Sequence, residues 1–399
     1  DNPFNFSRLN NLAVRESSGE ILLFLNNDTV VHQQSWLHDI VSLTRRPKSG
    51  AVGAKLLYED KSVQHSGVVL GIGGGAGHVF VGIAKDDPGY HGIANTSREI
   101  SAVTGACLAV RRQAFDAAGG FDESLRVAYN DIALCLQLNQ LGLQNYIVAK
   151  PLLLHYESKS RGFDTTTSKQ ILNLREATYV RSRFKEQISE DPYYSPNLSI
   201  DHDYHVASFP RWKSPWVVPA ENSKPHVLVA SSTHRIGYGV PVVVSRHVRA
   251  LLEAGFEVTV AGPSSETDFT YDGASRIDFH APAQVAEWAL SNGVDVIWAH
   301  TPPYYSVARW LGGQIPVIAY DYGEPMAWLF PDWVQREKVN HDKDLAFASC
   351  DRVYAISESV ETEARQKQNG IVPLGNDHLE QWNDEFNERR EILRSKRGW

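Results

Sequence analysis

Cysteine is scarce: Cys107, Cys135 and Cys350 are the three in 399 residues, far apart and mostly set in apolar runs. That excludes a disulfide framework, offers no zinc-ligand spacing and points to a reducing compartment. Positive charge is also short, with 39 Lys and Arg against 47 Asp and Glu, a formal net charge of −8 and a pI near 6.0. Nucleic-acid binding needs clustered cations to displace counterions from phosphates, so that class is disfavoured. No apolar run approaches a bilayer span, and the start, Asp1-Asn2-Pro3-Phe4, lacks a basic leader, a hydrophobic signal core and an initiator Met. The expectation is a soluble, cytoplasmic fragment of a longer polypeptide. Internal repeats and low-complexity tracts are missing as well.

What is present is a 42% hydrophobic fraction, enough to bury a core in each of two domains. Apolar runs at 21–25, 49–57, 102–110 and 146–154 alternate with amphipathic stretches at 35–43 and 131–141, a mixed α/β pattern over residues 1–205. Residues 206–224 read as an ordered linker, since Pro210, Pro215 and Pro219 interrupt regular hydrogen bonding while Trp212 and Trp216 can pack across a junction. The pattern then resets over 225–399. A strand at 226–230, a glycine turn at Gly237 and Gly239, a helix at 242–254 and a strand at 256–261 open a βαβ series. Further strands at 294–299, 315–320 and 352–356 predict a doubly wound parallel sheet.

Three clusters in the first half carry chemistry. Asn26, Asn27 and Asp28 follow the run 21–25, so a strand would deliver a carboxylate to a sheet edge, where ligands of open α/β sheets gather and a hard cation finds oxygen donors. The same tripeptide also suits a plain turn. The second cluster is Thr104-Gly105 with Gly119-Gly120-Phe121-Asp122 and Asn130-Asp131. Small residues there admit a ligand to the backbone, and Asp131 opens a helix whose dipole favours its carboxylate, either as a functional group or as a cap. The third is His155, an imidazole after the apolar residues 151–154, for a metal, a phosphate or merely a structural hydrogen bond.

In this order the clusters resemble glycosyltransferase family 2 proteins of the GT-A fold, in a subgroup that builds bacterial O-antigens and other surface polysaccharides, rhamnosyltransferase-like members among them. The likeness rests on Asn26-Asn27-Asp28-Thr29, Gln64-His65-Ser66-Gly67, Thr104-Gly105-Ala106-Cys107, Gly119-Gly120-Phe121-Asp122-Glu123, Asn130-Asp131 and His155-Tyr156-Glu157-Ser158, and spans residues 1–205. It implies that Asp28 is the surviving acid of an Asp-x-Asp motif, with Asn26 at the first position. Asp28 would bind Mg²⁺ or Mn²⁺ bridging the diphosphate of a nucleotide sugar, and His155 would assist. It implies that Asp131 is the general base of an inverting displacement. Thr104, Gly105, Gly119, Gly120, Phe121, Asp122 and Asn130 would line the acceptor pocket. Ala133 replaces a second acid found in many relatives. Relatives also carry an earlier nucleotide-binding βαβ, so the donor site is expected to be incomplete in the residues at hand.

The second half resembles the N-terminal Rossmann-like domain of family 4 GT-B glycosyltransferases, through residues 226–230, 249–260 and 295–300, Ala355-Ile356-Ser357-Glu358-Ser359 and Pro373-Leu374-Gly375. Such a domain mainly holds the acceptor. Gly237, Gly239, His300, Asp321 and Glu324 are its cleft candidates, and Tyr304, Tyr305 and Tyr320 could pack on sugar rings. The helix-like tract 384–397 is read as solvated. Two readings follow: a metal-dependent inverting glycosyltransferase acting on a polysaccharide or lipid-linked acceptor, the latter drawing it to the inner membrane face, or a non-catalytic glycan-binding scaffold.

Overall fold

The computed structural model describes residues 4–156, 167–211, 224–235, 239–264, 270–279, 281–323, 331–364 and 368–372. The first unit runs α1 (Phe6–Arg15), β1 (Ile21–Leu25), β2 (Thr29–Val31), α2 (Trp36–Thr44), β3 (Ser49–Leu57), β4 (Val63–His65), β5 (Val68–Leu70), β6 (Ala76–His78), β7 (Arg98–Ile100), β8 (Cys107–Arg111), α3 (Arg112–Ala117), α4 (Asn130–Gln140), β9 (Gln144–His155), α5 (Thr167–Arg183) and α6 (Lys185–Ser189). Its main sheet has the order β1-β8-β3-β9-β2, with β4 on β3 and β7 on β9. β8 is antiparallel to both β1 and β3, while β3 and β9 are parallel, so β1, β3 and β9 end on the same edge.

Strand periodicity builds the two faces. Leu22 and Phe24 of β1 join one core with Leu108, Val110 and Leu134, whereas Ile21 and Leu23 pack on the other with Val52, Ala54 and Ile40. All nine residues of β3 are buried, which is why it reads as an unbroken apolar run rather than an alternation. The strand expected over 102–110 is shorter, because the N–H groups of Thr104 and Gly105 leave the ladder for the side chains of His65 and Asp131.

The second unit runs β10 (His226–Ala230), α7 (Gly239–Glu253), β11 (Glu257–Ala261), β12 (Ser275–Ile277), α8 (Pro282–Ser291), β13 (Val296–Ala299), α9 (Val307–Leu311), β14 (Val317–Asp321), α10 (Trp333–Phe347), β15 (Arg352–Ala355) and α11 (Glu358–Glu363). Its sheet, in the order β12-β11-β10-β13-β14-β15, is parallel throughout. Val227 and Val229 face the core under α7, and Leu228 and Ala230 face the core with α8, α9 and Phe347, so helices cover both faces. The chain order reverses between β10 and β13, which is the switch point where doubly wound sheets open a crevice.

Residues 206–211 of the expected linker pack on both units: Ala207 N–H donates to Asn197 O at 2.9 Å, and the Phe209 ring meets Phe279 edge-on. Residues 212–223, with the Trp and remaining Pro signals, lie outside the described residues. Glu287 of α8 is buried and holds the junction, accepting from Ser199 Oγ at 2.7 Å and Ser208 N at 3.1 Å. Both oxygens are thereby satisfied, without which its burial would be strongly unfavourable. No helix among the described residues is long and apolar enough to cross a membrane.

Candidate active site

The carboxyl edge of β1, β3 and β9 gathers the three clusters. Asn26 N–H donates to Ala106 O at 3.0 Å, and Thr29 closes on Asn26 O through both N–H and Oγ1. Residues 26–29 are therefore a turn, and the turn presents side chains: Asn27 is exposed at its tip, while Asn26 and Asp28 are half-buried beneath it. Pairing of Thr29 with His155 brings the end of β9 alongside. Asp28 Oδ1 lies 3.1 Å from His155 Nε2, and Asn26 Nδ2 lies 3.2 Å from the same nitrogen.

The partners decide the histidine tautomer. Gln64 Oε1, which can only accept, stands 2.8 Å from His155 Nδ1, so Nδ1 carries the proton. The amide of Asn26 can only donate toward Nε2, which is thus an unprotonated acceptor. Asp28 Oδ1 is buried, receives no hydrogen bond from the described residues, and lies 3.1 Å from that same acceptor nitrogen. Two lone-pair acceptors at this separation repel unless a proton or cation lies between them. Among the described residues one imidazole nitrogen and one carboxylate oxygen stand together, two of the donors that Mg²⁺ or Mn²⁺ would take, and no third His, Cys, Asp or Glu joins them.

Asp131 is reached through the next residues of the same edge. Gly105 N–H donates to Asp131 Oδ2 at 2.7 Å, and Ile132 N–H donates to Oδ1 at 2.8 Å. Tyr129, at φ 59°, turns the chain into α4 and sets Asp131 in its first turn, half-buried. His65 stands behind: its Nε2 accepts from Thr104 N–H at 3.4 Å, and its buried Nδ1 has no hydrogen-bond partner among the described residues. Burial holds the His65 imidazole well below the ordinary histidine range, so it is neutral. Gln64 and His65 belong to the resemblance motif, which implies no role for them. Their signal was polarity at two successive positions in an otherwise apolar strand pair.

Several expected acceptor residues are elsewhere. Phe121 is only 2% exposed and packs against Phe6, Phe24 and Phe115, so it is core rather than a pocket wall. Asn130 is buried, donating to Val127 O and accepting from Asp131 N–H. Gly119 and Gly120 have φ of 84° and 74°, and their turn is clamped by Asn11, which bonds both the N–H and the C=O of Phe121. Asp122 is engaged by Tyr179 and Arg183 of α5. The turn ties α1 to α5. Thr104 and Gly105 do stand at the site.

In the second unit, His300 follows β13 at the switch point, fully buried, with Nδ1 2.7 Å from Tyr322 Oη and Nε2 3.5 Å from His247 Nδ1. Its ring stacks on Tyr320 at 4.7 Å. Burial keeps His300 well below its usual pKa, and it lowers His247 and His234 to about 4. Asp321 is not a cleft ligand: its oxygens accept from Gly323 N and Gln368 Nε2 at 2.9 Å, and Lys343 Nζ sits 3.4 Å away. Tyr304 and Tyr305 are core residues bonded to main-chain carbonyls, so no sugar face is presented there. Gly239 opens α7, while Gly237 and Glu324 lie outside the described residues, as do 373–399. A cavity of about 550 Å³ lies where α5 meets the second unit, lined by Asn173, Pro302, Arg309, Asp342 and Lys343 among others.

Residues 237–373, within the second unit, match the family described as Glycosyltransferase Family 4. Uncharacterized protein y4gI of Sinorhizobium fredii (strain NBRC 101917 / NGR234) is 44% identical over 211 residues, which are 53% of this chain and 23% of that protein. O-antigen biosynthesis protein RfbC of Myxococcus xanthus is 41% identical over 205 residues, 50% of this chain and 16% of that protein. The chain thus spans less than a quarter of either relative. A solved structure of GalNAc-T7 with UDP, GalNAc and Mn²⁺ aligns at 12% identity and a TM-score of 0.35, covering 46% of this chain and 36% of its own, too slight a likeness to argue from.

Proposed function

We propose that the first unit is a metal-dependent inverting glycosyltransferase that moves a sugar from a nucleoside diphosphate donor to a hydroxyl of a growing surface polysaccharide or lipid-linked glycan. The second unit, family 4-like, holds acceptor. The observation that carries the reading is the convergence on one sheet edge of the facing Asp28 and His155 acceptors, 3.1 Å apart, with Asp131 held by Gly105. The O-antigen relative and the family 4 match support glycosyl transfer as the chemistry.

Asp28 and His155, with Asn26 beside them, would hold the cation, which when bound supplies positive charge to the leaving diphosphate. Asp131 receives the acceptor proton as the hydroxyl oxygen bonds to the anomeric carbon and the bond from that carbon to the diphosphate oxygen breaks. A carboxylate serves because the hydroxyl becomes acidic as the new bond forms. Two main-chain N–H groups hold the Asp131 carboxylate in place, and each oxygen keeps a further lone pair for the proton. A lipid-linked acceptor would bring the chain to the inner membrane face.

The test is transfer by the longest chain that contains these residues, with and without chelator, with the anomeric configuration of the product read by NMR. Loss of turnover on chelation, recovery with Mn²⁺ and an inverted product are expected. Full turnover in chelator, or a retained configuration, sinks the mechanism. The scaffold reading draws on the same two hydrogen bonds, which tie the first turn of α4 to Gly105 although the N-cap position is Tyr129 and Asp131 is no cap, and the Asp131 variant discussed below separates the two.

A further inference from the structure

We propose that Gln64 is the positioning residue that sets the tautomer of His155 and thereby makes the Asp28–His155 pair a cation site. The proposal rests on the reading of that pair as the metal-diphosphate site and assigns β4 a part in it. Gln64 is 3% exposed, in the middle of β4, and reaches the end of β9 through both ends of its amide. Oε1 lies 2.8 Å from His155 Nδ1, and Nε2 donates to the His155 carbonyl at 3.4 Å. The second contact orients the first. A carbonyl oxygen can only accept, so it takes the amide NH₂ and leaves Oε1 turned to the ring, where it demands a protonated Nδ1.

The consequence lies on the far side of the imidazole. With the proton at Nδ1, Nε2 is an acceptor taken up by the Asn26 amide at 3.2 Å, a contact that a cation seated against Nε2 and Asp28 Oδ1 would displace; Asp28 Oδ1, 3.1 Å from Nε2, has no hydrogen-bond donor among the described residues. In the other tautomer Nε2–H would donate to Asp28 and close the pair into an ordinary hydrogen bond, with no lone pair left for a metal. It would also press a hydrogen against the Asn26 amide, 3.2 Å away. Metal-bound histidines generally donate their second N–H to such an acceptor, and losing the acceptor costs about 10–100-fold in metal affinity. Here the acceptor is a neutral amide on a different strand, 91 positions from the histidine.

The experiment uses the metal-free chain and Mn²⁺ alone as the probe. Long-range ¹H–¹⁵N spectra of the imidazole report the tautomer, and paramagnetic broadening of the His155 resonances by Mn²⁺ reports binding. The wild type should show Nδ1–H and selective broadening. Gln64→Met, similar in volume but without an acceptor, should lose the single tautomer and weaken Mn²⁺ binding about 10–100-fold. Gln64→Glu, which restores an acceptor for Nδ1–H, should recover both. A wild type carrying its proton on Nε2, or a Met variant unchanged in tautomer or in Mn²⁺ affinity, overturns the assignment to Gln64. A wild type with the expected tautomer that binds no Mn²⁺ overturns the cation reading of the pair, and the role of Gln64 falls with it.

Discussion

Asp131 is where the two readings of the first unit part, because one residue satisfies both a helix start and a base. Asp131→Asn keeps an oxygen that can accept from Gly105 N–H, now made at 2.7 Å, while it removes the proton acceptor. Transfer should therefore fall by about 100-fold or more with the denaturant midpoint nearly unchanged. Steady-state kinetics beside urea unfolding checks this, and undiminished turnover would leave Asp131 a structural tie between α4 and Gly105. His234, His247 and His300 carry a different prediction. Burial holds His234 and His247 at about 4 and His300 well below 6.5, so below that value the unfolded chain binds protons that the folded chain refuses. Their stability contribution is intact above about pH 6.5 and is lost as pH falls toward 4, with a slope of up to about 1.4 kcal/mol per pH unit for each histidine. Unfolding midpoints of the chain between pH 7 and 4.5, compared with His247→Gln, measure it. The variant should show the shallower slope.

At the scale of elements, the strands were the most readable part. The runs 21–25, 49–57 and 226–230 coincide with β1, β3 and β10, because a strand covered on both faces has no alternative to an apolar sequence. The run at 102–110 misled for a physical reason: apolar character reports burial, and residues 102–106 are buried or half-buried while the N–H groups of Thr104, Gly105 and Ala106 serve side chains. Glycine in β3 shows how little room such a strand has. A Cβ on Gly53 would stand 2.6 Å from Val103 Cβ, with backbone-anchored atoms on both sides. Gly53→Ala should therefore destabilise the first unit by about 1–3 kcal/mol, read as a lower urea midpoint with an unchanged m-value. A midpoint that holds would mean β3 and the 102–106 segment can separate.

At the scale of the whole molecule the two units are joined by specific polar contacts as well as by chain. Ser199 Oγ of the first unit donates to Glu287 of α8 at 2.7 Å, and Gly74, at φ 80°, packs so closely on α9 that a Cβ would fall 1.1 Å from Arg309 O. Gly74→Ala cannot be absorbed by a side-chain shift and should part the units. We expect a single unfolding transition to divide in two in calorimetry, and limited proteolysis to release the halves. One transition at the wild-type temperature would show that this contact does not couple them.

Local apolar pattern was sufficient for β1, β3, β10 and the doubly wound second half, since burial acts on neighbouring residues, while the ordered set Asp28, Asp131 and His155 came from the family resemblance. Only tertiary structure decided which strand-end groups are available. Asp28 and Asp321 look alike in sequence, each a carboxylate at the far end of an apolar run, yet Asp321 is taken up by Lys343, Gln368 and Gly323 while Asp28 lies 3.1 Å from His155 Nε2. The difference lies in partners that come from other elements, and a side chain's hydrogen-bonding capacity is settled by whatever packing brings within about 3 Å.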